Sequence, residues 1–178
     1  MNPTTRPRPI QGARVRPSAG PRRSAERPLL TADGRFLMQL RAQHLLEVAI
    51  PEARTGLDKR RRDPRDVTRL ERLCVEAVWL ERLLARAVTL PAPSGDVVEL
   101  GSYVRISLVD GEGTWVRPVP AIEAMLDDHR VSASSPLGAA LLGARAGDTV
   151  VVDGPAGPWE CTILEIAPRD PETLHLVA

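Results

Sequence analysis

"VSASSPLGAALLGARAGDTVVV", residues 131–152, is the run whose reading decides the second half of the chain. Ser135 followed by Pro136 is a helix start. The hydroxyl can accept a backbone N–H that the first turn leaves unbonded, and proline's fixed φ suits the first helical position. Leu137, Ala140 and Leu141 share one side of that helix and form its buried face. Gly143 suits the left-handed residue that ends a helix. Gly147-Asp148 then turns the chain into the strand Thr149–Val152. Taken alone, the run is a structural element whose exposed Ser-Pro entry is a candidate docking knob.

The flanking sequence is rich in strands. "DTVVVDGPAGPWECTILEI" (148–166) reads as two strands around a Gly/Pro turn. "VVELGSYVRISLV" (97–109) alternates and reads as a strand, with a bulge or turn at Gly101. "DGEG" (110–113) is a turn, "TWVRPV" (114–119) a second strand and "AIEAMLDD" (121–128) a short helix. Strands interleaved with short helices make a small α+β domain, predicted over 96–178 and large enough for its own core. "PAPSG" (91–95) marks the boundary ahead of it.

Before that boundary the period changes. Leu70, Leu73, Ala77, Leu80, Leu84 and Ala87 follow steps of 3, 4, 3, 4, 3, an a/d seam. Asp63-Pro64 is its helix start. Upstream, Thr31 is a good N-cap, and Phe36, Leu37, Leu40, Leu45, Val48 and Ala49 give a rough apolar stripe. Pro51 is expected to kink that helix. The two helices predict an antiparallel helical hairpin over 29–90. "DKRRRDPRD" (58–66) sits at its far tip, with Lys59, Arg60, Arg61, Arg62 and Arg65 against Asp58, Asp63 and Asp66. A helix of about 24 residues would carry that tip roughly 36 Å outward.

Bulk properties exclude several classes. Net charge is +1 over 178 residues, so general polyanion binding is not expected. Residues 1–28 hold seven Arg, one Glu and six Pro with few large apolar side chains, which predicts a disordered basic tail. No apolar run is long enough to span a bilayer, and no secretory signal stands out, so a cytoplasmic location is expected. Cys74 and Cys161 have no metal-ligand spacing and read as buried thiols. His44, His129 and His175 are far apart and read as surface or satisfied histidines. Tyr103, Trp115 and Trp159 read as core.

The pattern S-x-x-S-P-L-G-x-A-L-L-G-x-x-x-G-D within 132–148 resembles the signature of the bacterial GreA/GreB transcription elongation factors. "LLTADG" (29–34), "EAR" (52–54), "GLD" (56–58), "VE" (75–76) and "LERLLARA" (80–87) resemble that family's arm. The resemblance covers roughly residues 29–167. It implies an N-terminal antiparallel coiled coil followed by an FKBP-like C-terminal domain, an α+β protein. It also implies docking on RNA polymerase core at the secondary channel, through Ser134, Ser135, Pro136, Leu137 and Gly138. Contact with DNA or RNA would then occur only within that complex. The protein would be a monomeric accessory factor rather than an enzyme.

In cleavage-stimulating members two tip acids, three residues apart, help hold a magnesium ion shared with the polymerase. Here Asp58 is followed three residues on by Arg61, amid Lys59, Arg60 and Arg62. A hard cation requires carboxylate oxygens, and neighbouring guanidinium groups repel it. The resemblance thus implies a regulator with lost or altered cleavage stimulation and no cofactor of its own. Two alternatives stay open. One is a cleavage factor using Asp58 with Asp63 or Asp66. The other is an interaction module like the nucleoside diphosphate kinase regulators, acting on a different partner.

Overall fold

The computed structural model describes residues 27–57, 63–107 and 113–171. The expectations for most of the basic tail, for Asp58, Lys59, Arg60, Arg61 and Arg62, for the turn at 110–112 and for His175 lie outside the described residues.

The helices come first in the chain. Helix α1 (Ala32–His44) runs through a π-helical segment (Leu45–Ala49) into α2 (Ile50–Thr55), and α3 spans Pro64–Arg86. Thr31 caps α1, its Oγ1 accepting the Gly34 N–H at 3.1 Å. Asp63 caps α3 through Oδ1, which accepts the Arg65 N–H at 2.8 Å, with Pro64 in the first turn. On α3 the heptad seam forms the buried side. Ala77, Leu80 and Leu83 are buried, and Leu70, Leu73, Leu84 and Ala87 pack half-buried beside them.

The stripe expected on α1 is only partly the one the fold uses, holding at Leu45 and at Ala49, which packs against the core. Met38, Ala42, Leu45 and Ile50 are buried, whereas Phe36, Leu37, Leu40 and Val48 are exposed. The buried positions follow steps of 4, 3 and 5. The last step crosses the π segment, whose i→i+5 bonds include Ile50 N–H to the Leu45 carbonyl, and so keeps Leu45 and Ile50 on one side. The same segment absorbs Pro51, which has no N–H to donate, and the helix continues to Thr55. Cross-helix contacts run in antiparallel order. Arg35 donates to the Leu84 and Ala87 carbonyls at 2.9 and 3.1 Å, and Arg41 pairs with Glu76 at 2.7 Å. Two short strands absent from the sequence reading, β1 (Leu29–Leu30) and β2 (Val88–Thr89), pair in parallel at the base of these helices.

A five-stranded sheet follows, in the order β5-β4-β3-β7-β6. Its strands are β3 (Tyr103–Ser107), β4 (Gly113–Val119), β5 (Arg130–Ser132), β6 (Thr149–Gly154) and β7 (Gly157–Ala167). All neighbours are antiparallel except β4 and β5, which are parallel. The pleat sends Val104, Ile106, Val116 and Ile163 to a core shared with Val98, Val152, Cys161 and Leu141 of α4 (Pro136–Leu141). Leu164 is the extra residue of a bulge, because β3 pairs Arg105 with Glu165 and Ile106 with Ile163.

Several expectations are corrected here. The stretch 97–102 is not strand. Gly101 turns at φ +92°, and Val98 bonds instead to the chain at Gly143 and Ala144. Residues 121–128 hold only a 3₁₀ turn, Ala121–Glu123, and the three-residue β5 was not foreseen. In 131–152 the local reading matches the geometry. Ser135 Oγ accepts the Gly138 N–H at 3.1 Å, and Gly143 sits at φ +82°. Gly138 is buried against the Ser132 carbonyl, where any Cβ would collide with backbone.

Leu141 is fully buried at the centre of this core. Its replacement by Ala should cost about 2–5 kcal/mol. Chemical denaturation of the two chains would read this directly, and a cost below 1 kcal/mol would place Leu141 outside a tight core.

Candidate functional site

The densest polar cluster joins the first turn of α1 to the sheet, and it gathers residues more than 80 positions apart. Arg130, at the start of β5, has a side chain only 3% exposed. Each of its three guanidinium nitrogens serves a different carboxylate. Nε meets Asp127 at 2.6 Å, Nη1 meets Glu123 at 2.9 Å and Nη2 meets Asp33 at 2.7 Å. Arg117 in β4 grips both oxygens of Asp33 and donates through Nε to the Gly101 carbonyl at 3.0 Å. Its Nη1 also reaches the Tyr103 hydroxyl at 3.0 Å, and its guanidinium lies 4.5 Å from the Tyr103 ring centroid.

Glu123 completes the cluster from the 3₁₀ turn. It is fully buried, and accepts the Thr31 N–H at Oε1 and the Thr31 hydroxyl at Oε2, both at 2.6 Å. Gly34 packs directly on this carboxylate, where a Cβ would collide with it. The "TADG" of 31–34 is therefore a helix cap, an ion-pair partner and a close-approach glycine in four residues.

The electrostatics follow from this packing. Burial alone would raise the Asp33 carboxyl, but the bonds and charge of Arg117, with Arg130 beside it, hold it down at about 2. Burial pushes Glu123 up, opposed by its bonds from Thr31 and by Arg130. Burial also raises Tyr103, and Cys161 likewise. Cys161 is buried as expected and Cys74 is half-buried, neither in a disulfide. Among the described residues no group of three or more His, Cys, Asp or Glu is placed to hold a metal ion.

None of these network residues was singled out as a site from the sequence. Arg117 carries the clearest signal, since a charged residue in the apolar strand "TWVRPV" demands a partner if its neighbours are buried. Nothing in the sequence says that the partner is Asp33. The aromatics divide. Trp159 packs on the core, but Tyr103 and Trp115 lie outside it, on the opposite sheet face with Arg105 and Arg117.

The residues proposed from sequence fall into two separate places. In the Ser-Pro loop Ser134 and Pro136 are exposed, Leu137 is half-buried and Gly138 is buried. Ser135 donates to the Ser132 carbonyl at 2.6 Å, and the Ser134 and Ser132 hydroxyls lie 2.8 Å apart, so the loop is braced. Elsewhere, Asp63, Arg65 and Asp66 open α3. Asp63 uses Oδ1 for capping, and Asp66 lines a small hollow with Glu52, Ala53, Gly56 and Arg69. No helix among the described residues is long and apolar enough to cross a membrane.

Comparison with known proteins agrees with the sequence pattern. A family model described as transcription elongation factor, GreA/GreB, C-term matches residues 92–168. The transcription elongation factor GreA of Thermomicrobium roseum is 36% identical over 136 residues, covering 74% of this chain and 86% of that protein. The transcription inhibitor protein Gfh1 of Thermus thermophilus is 41% identical over 90 residues, 49% of this chain and 58% of that relative. The chain thus spans little more than half the length of the Gfh1 relatives that it matches. The crystal structure of GreA factor homolog 1 from Thermus thermophilus aligns at 30% identity over 80% of this chain and 99% of that one, with a TM-score of 0.36.

Two outcomes test the ionic cluster. Glu123→Ala leaves Arg130 and Thr31 short of partners in a dry site and should cost about 3 kcal/mol. The second outcome is a pH dependence. A carboxylate held below its ordinary value stabilises the fold above that value and loses this as pH falls. The stability gap between the native chain and Asp33→Asn should be full above pH 3.8 and shrink as the pH approaches about 2. Urea midpoints across that range measure it, and a gap independent of pH would rule out the Asp33 pairing.

Proposed function

Since the chain belongs to the GreA/GreB transcription elongation factor family, we propose that it is an RNA polymerase-binding regulator of transcription with lost or altered cleavage stimulation. In this reading residues 29–90 are an antiparallel coiled-coil arm and 96–178 an FKBP-like domain, joined at 91–95. The domain docks at the rim of the polymerase secondary channel, and the arm enters it. The observation that carries the proposal is the 36% identity to a GreA over 74% of this chain.

The Ser-Pro loop is the proposed docking surface. The exposure of Ser134 and Pro136 supports this, as does the bracing of Ser135, which fixes the loop without the partner. A preformed loop loses little entropy on binding.

The altered cleavage reading rests on the tip. Arg61 stands where the family pattern has its second acid. Asp63 already caps α3 through one oxygen, and Asp66 lies on a helix flanked by Arg65 and Arg69. These carboxylates do not make a set reserved for a metal, so no hydrolytic step is assigned to them. A basic tip instead suits phosphate oxygens, which arginine contacts through charge-assisted pairs. Such contacts near a polymerase active site would slow catalysis rather than promote transcript hydrolysis. Similarity to proteins named as transcription inhibitors points the same way.

Purified chain should bind core RNA polymerase, and Pro136→Glu should weaken that binding at least tenfold with the fold intact. Stalled elongation complexes should show little added RNA cleavage and slower extension. Replacing Arg60, Arg61 and Arg62 by Ala should restore the extension rate without loss of binding. Strong cleavage abolished by Asp58→Ala would establish the opposite activity. Failure to bind polymerase at all would favour a different partner.

A further inference from the structure

The outer face of α3 is not the polar surface that a packed pair of helices ordinarily turns to water. Val75, Val78 and Trp79 are exposed there, Val75 at 70% and Trp79 at 45%. With Arg82 they recur at i, i+3, i+4 and i+7, so the four share one stripe. Arg72 and Arg86 extend it at either end, and Glu71 lies along it, so three guanidinium groups stand against one carboxylate. None of the three arginines is ion-paired among the described residues.

The opposite charge lines a groove of about 860 Å³ between α1 and the open face of the sheet. Phe36, Leu37, Tyr103 and Trp115 supply its apolar wall. Asp33, Asp127 and Asp170 stand against Arg117 and Arg130, and Glu123 answers Arg130 from behind. The cations are the hidden partners. The Arg117 and Arg130 side chains are 9% and 3% exposed, those of Asp33 and Asp127 39% and 42%. Water at the groove therefore meets carboxylate. Arg105, beside Gly113 at the margin, stands opposite Glu165 across β3 and β7.

An aromatic groove edged with carboxylates favours an apolar ligand that carries cations, and a guanidinium stacks well on an exposed ring. The strands under the groove, β3 and β4, are interior to the sheet and offer no free edge. The occupant must therefore bring a backbone already satisfied, as a helix does. One copy cannot fill its own groove. Helices α1 and α3 pack through Met38, Ala42, Ala77 and Leu80, so Phe36 and Val75 look out from opposite sides of the pair.

We propose that the groove's occupant is the outer face of α3 from a second copy. Val75, Val78 and Trp79 seat on Phe36, Leu37 and Trp115, with the arginines of the stripe against the Asp33 and Asp127 carboxylates. Each copy offers its groove on one side and its helix on the other. The contact is therefore head-to-tail, and association does not stop at two copies. The monomer expected from the family resemblance is then the dilute form.

Sedimentation equilibrium of the full chain, from micromolar to millimolar concentration, tests this. The average mass should rise with concentration and pass that of a dimer. The helix variant Val75→Glu, Trp79→Glu should stay monomeric, and so should the groove variant Phe36→Asp, Trp115→Ser, both with native circular dichroism. An equal mixture of the two variants should form a complex of two copies and nothing larger, because one intact groove and one intact helix face remain between them. Arg72→Glu with Arg82→Glu should weaken association at least tenfold, whereas Arg54→Glu on α2 should leave it unchanged. A chain that stays monomeric throughout would overturn the proposal. So would growth that halts at two copies, or a mixture of variants that does not associate.

Discussion

One guanidinium organises the junction between helices and sheet. Arg130 is almost fully withdrawn from water, and such a cation is tolerated only when each nitrogen is answered. The three carboxylates that answer it come from α1, from the 3₁₀ turn and from the loop before β5. Arg117 then clamps the carboxylate that arrives from α1, so Asp33 is held by two cations from adjacent parallel strands. The pairing of β4 with β5 sets the spacing of these cations, and the spacing sets where α1 can begin.

Other features are subordinate to that contact. Thr31 caps α1 and binds Glu123 with the same hydroxyl, so helix initiation and domain contact are one event. Gly34 must lack a side chain for Glu123 to approach. By contrast, the core under the sheet is ordinary aliphatic packing of Val152 and Ile163 against Leu141 of α4, and none of the residues in it comes from α1, α2 or α3. The molecule therefore combines a half-buried, directional joint with a separate aliphatic core.

The sequence was most legible where structure is local. Ser135-Pro136, Asp63-Pro64 and the seam from Leu70 to Ala87 each state a cap or a period within a few residues, and the geometry follows them. The stripe on α1 was misread at its start because Phe36, Leu37 and Leu40 are the larger apolar side chains, whereas Met38 and Ala42, spaced 4 and 3 from each other and from Leu45, are the ones buried. The joint was invisible for another reason. Asp33 lies 84 residues from Arg117 and 97 from Arg130, and no local propensity encodes a pairing across such a distance. The strand β5 was lost because three residues give too little alternation to register. The aromatic pair Tyr103 and Trp115 was assigned to the core by composition, although the pleat places it on the outer face.

The parallel pairing of Leu29–Leu30 with Val88–Thr89 has a mechanical consequence. Both ends of the helical excursion are stitched together at its root, so the segment between them is a closed loop with its mouth sewn shut. Whole turns could be added to or removed from both helices, changing the span by about 5.4 Å per turn, and the root would not sense it. Length and anchorage are thus independent variables in this architecture. A bending load at the far end would reach the sheet through two rails, one ending at Thr31 and the other at Val88, rather than through a single pivot.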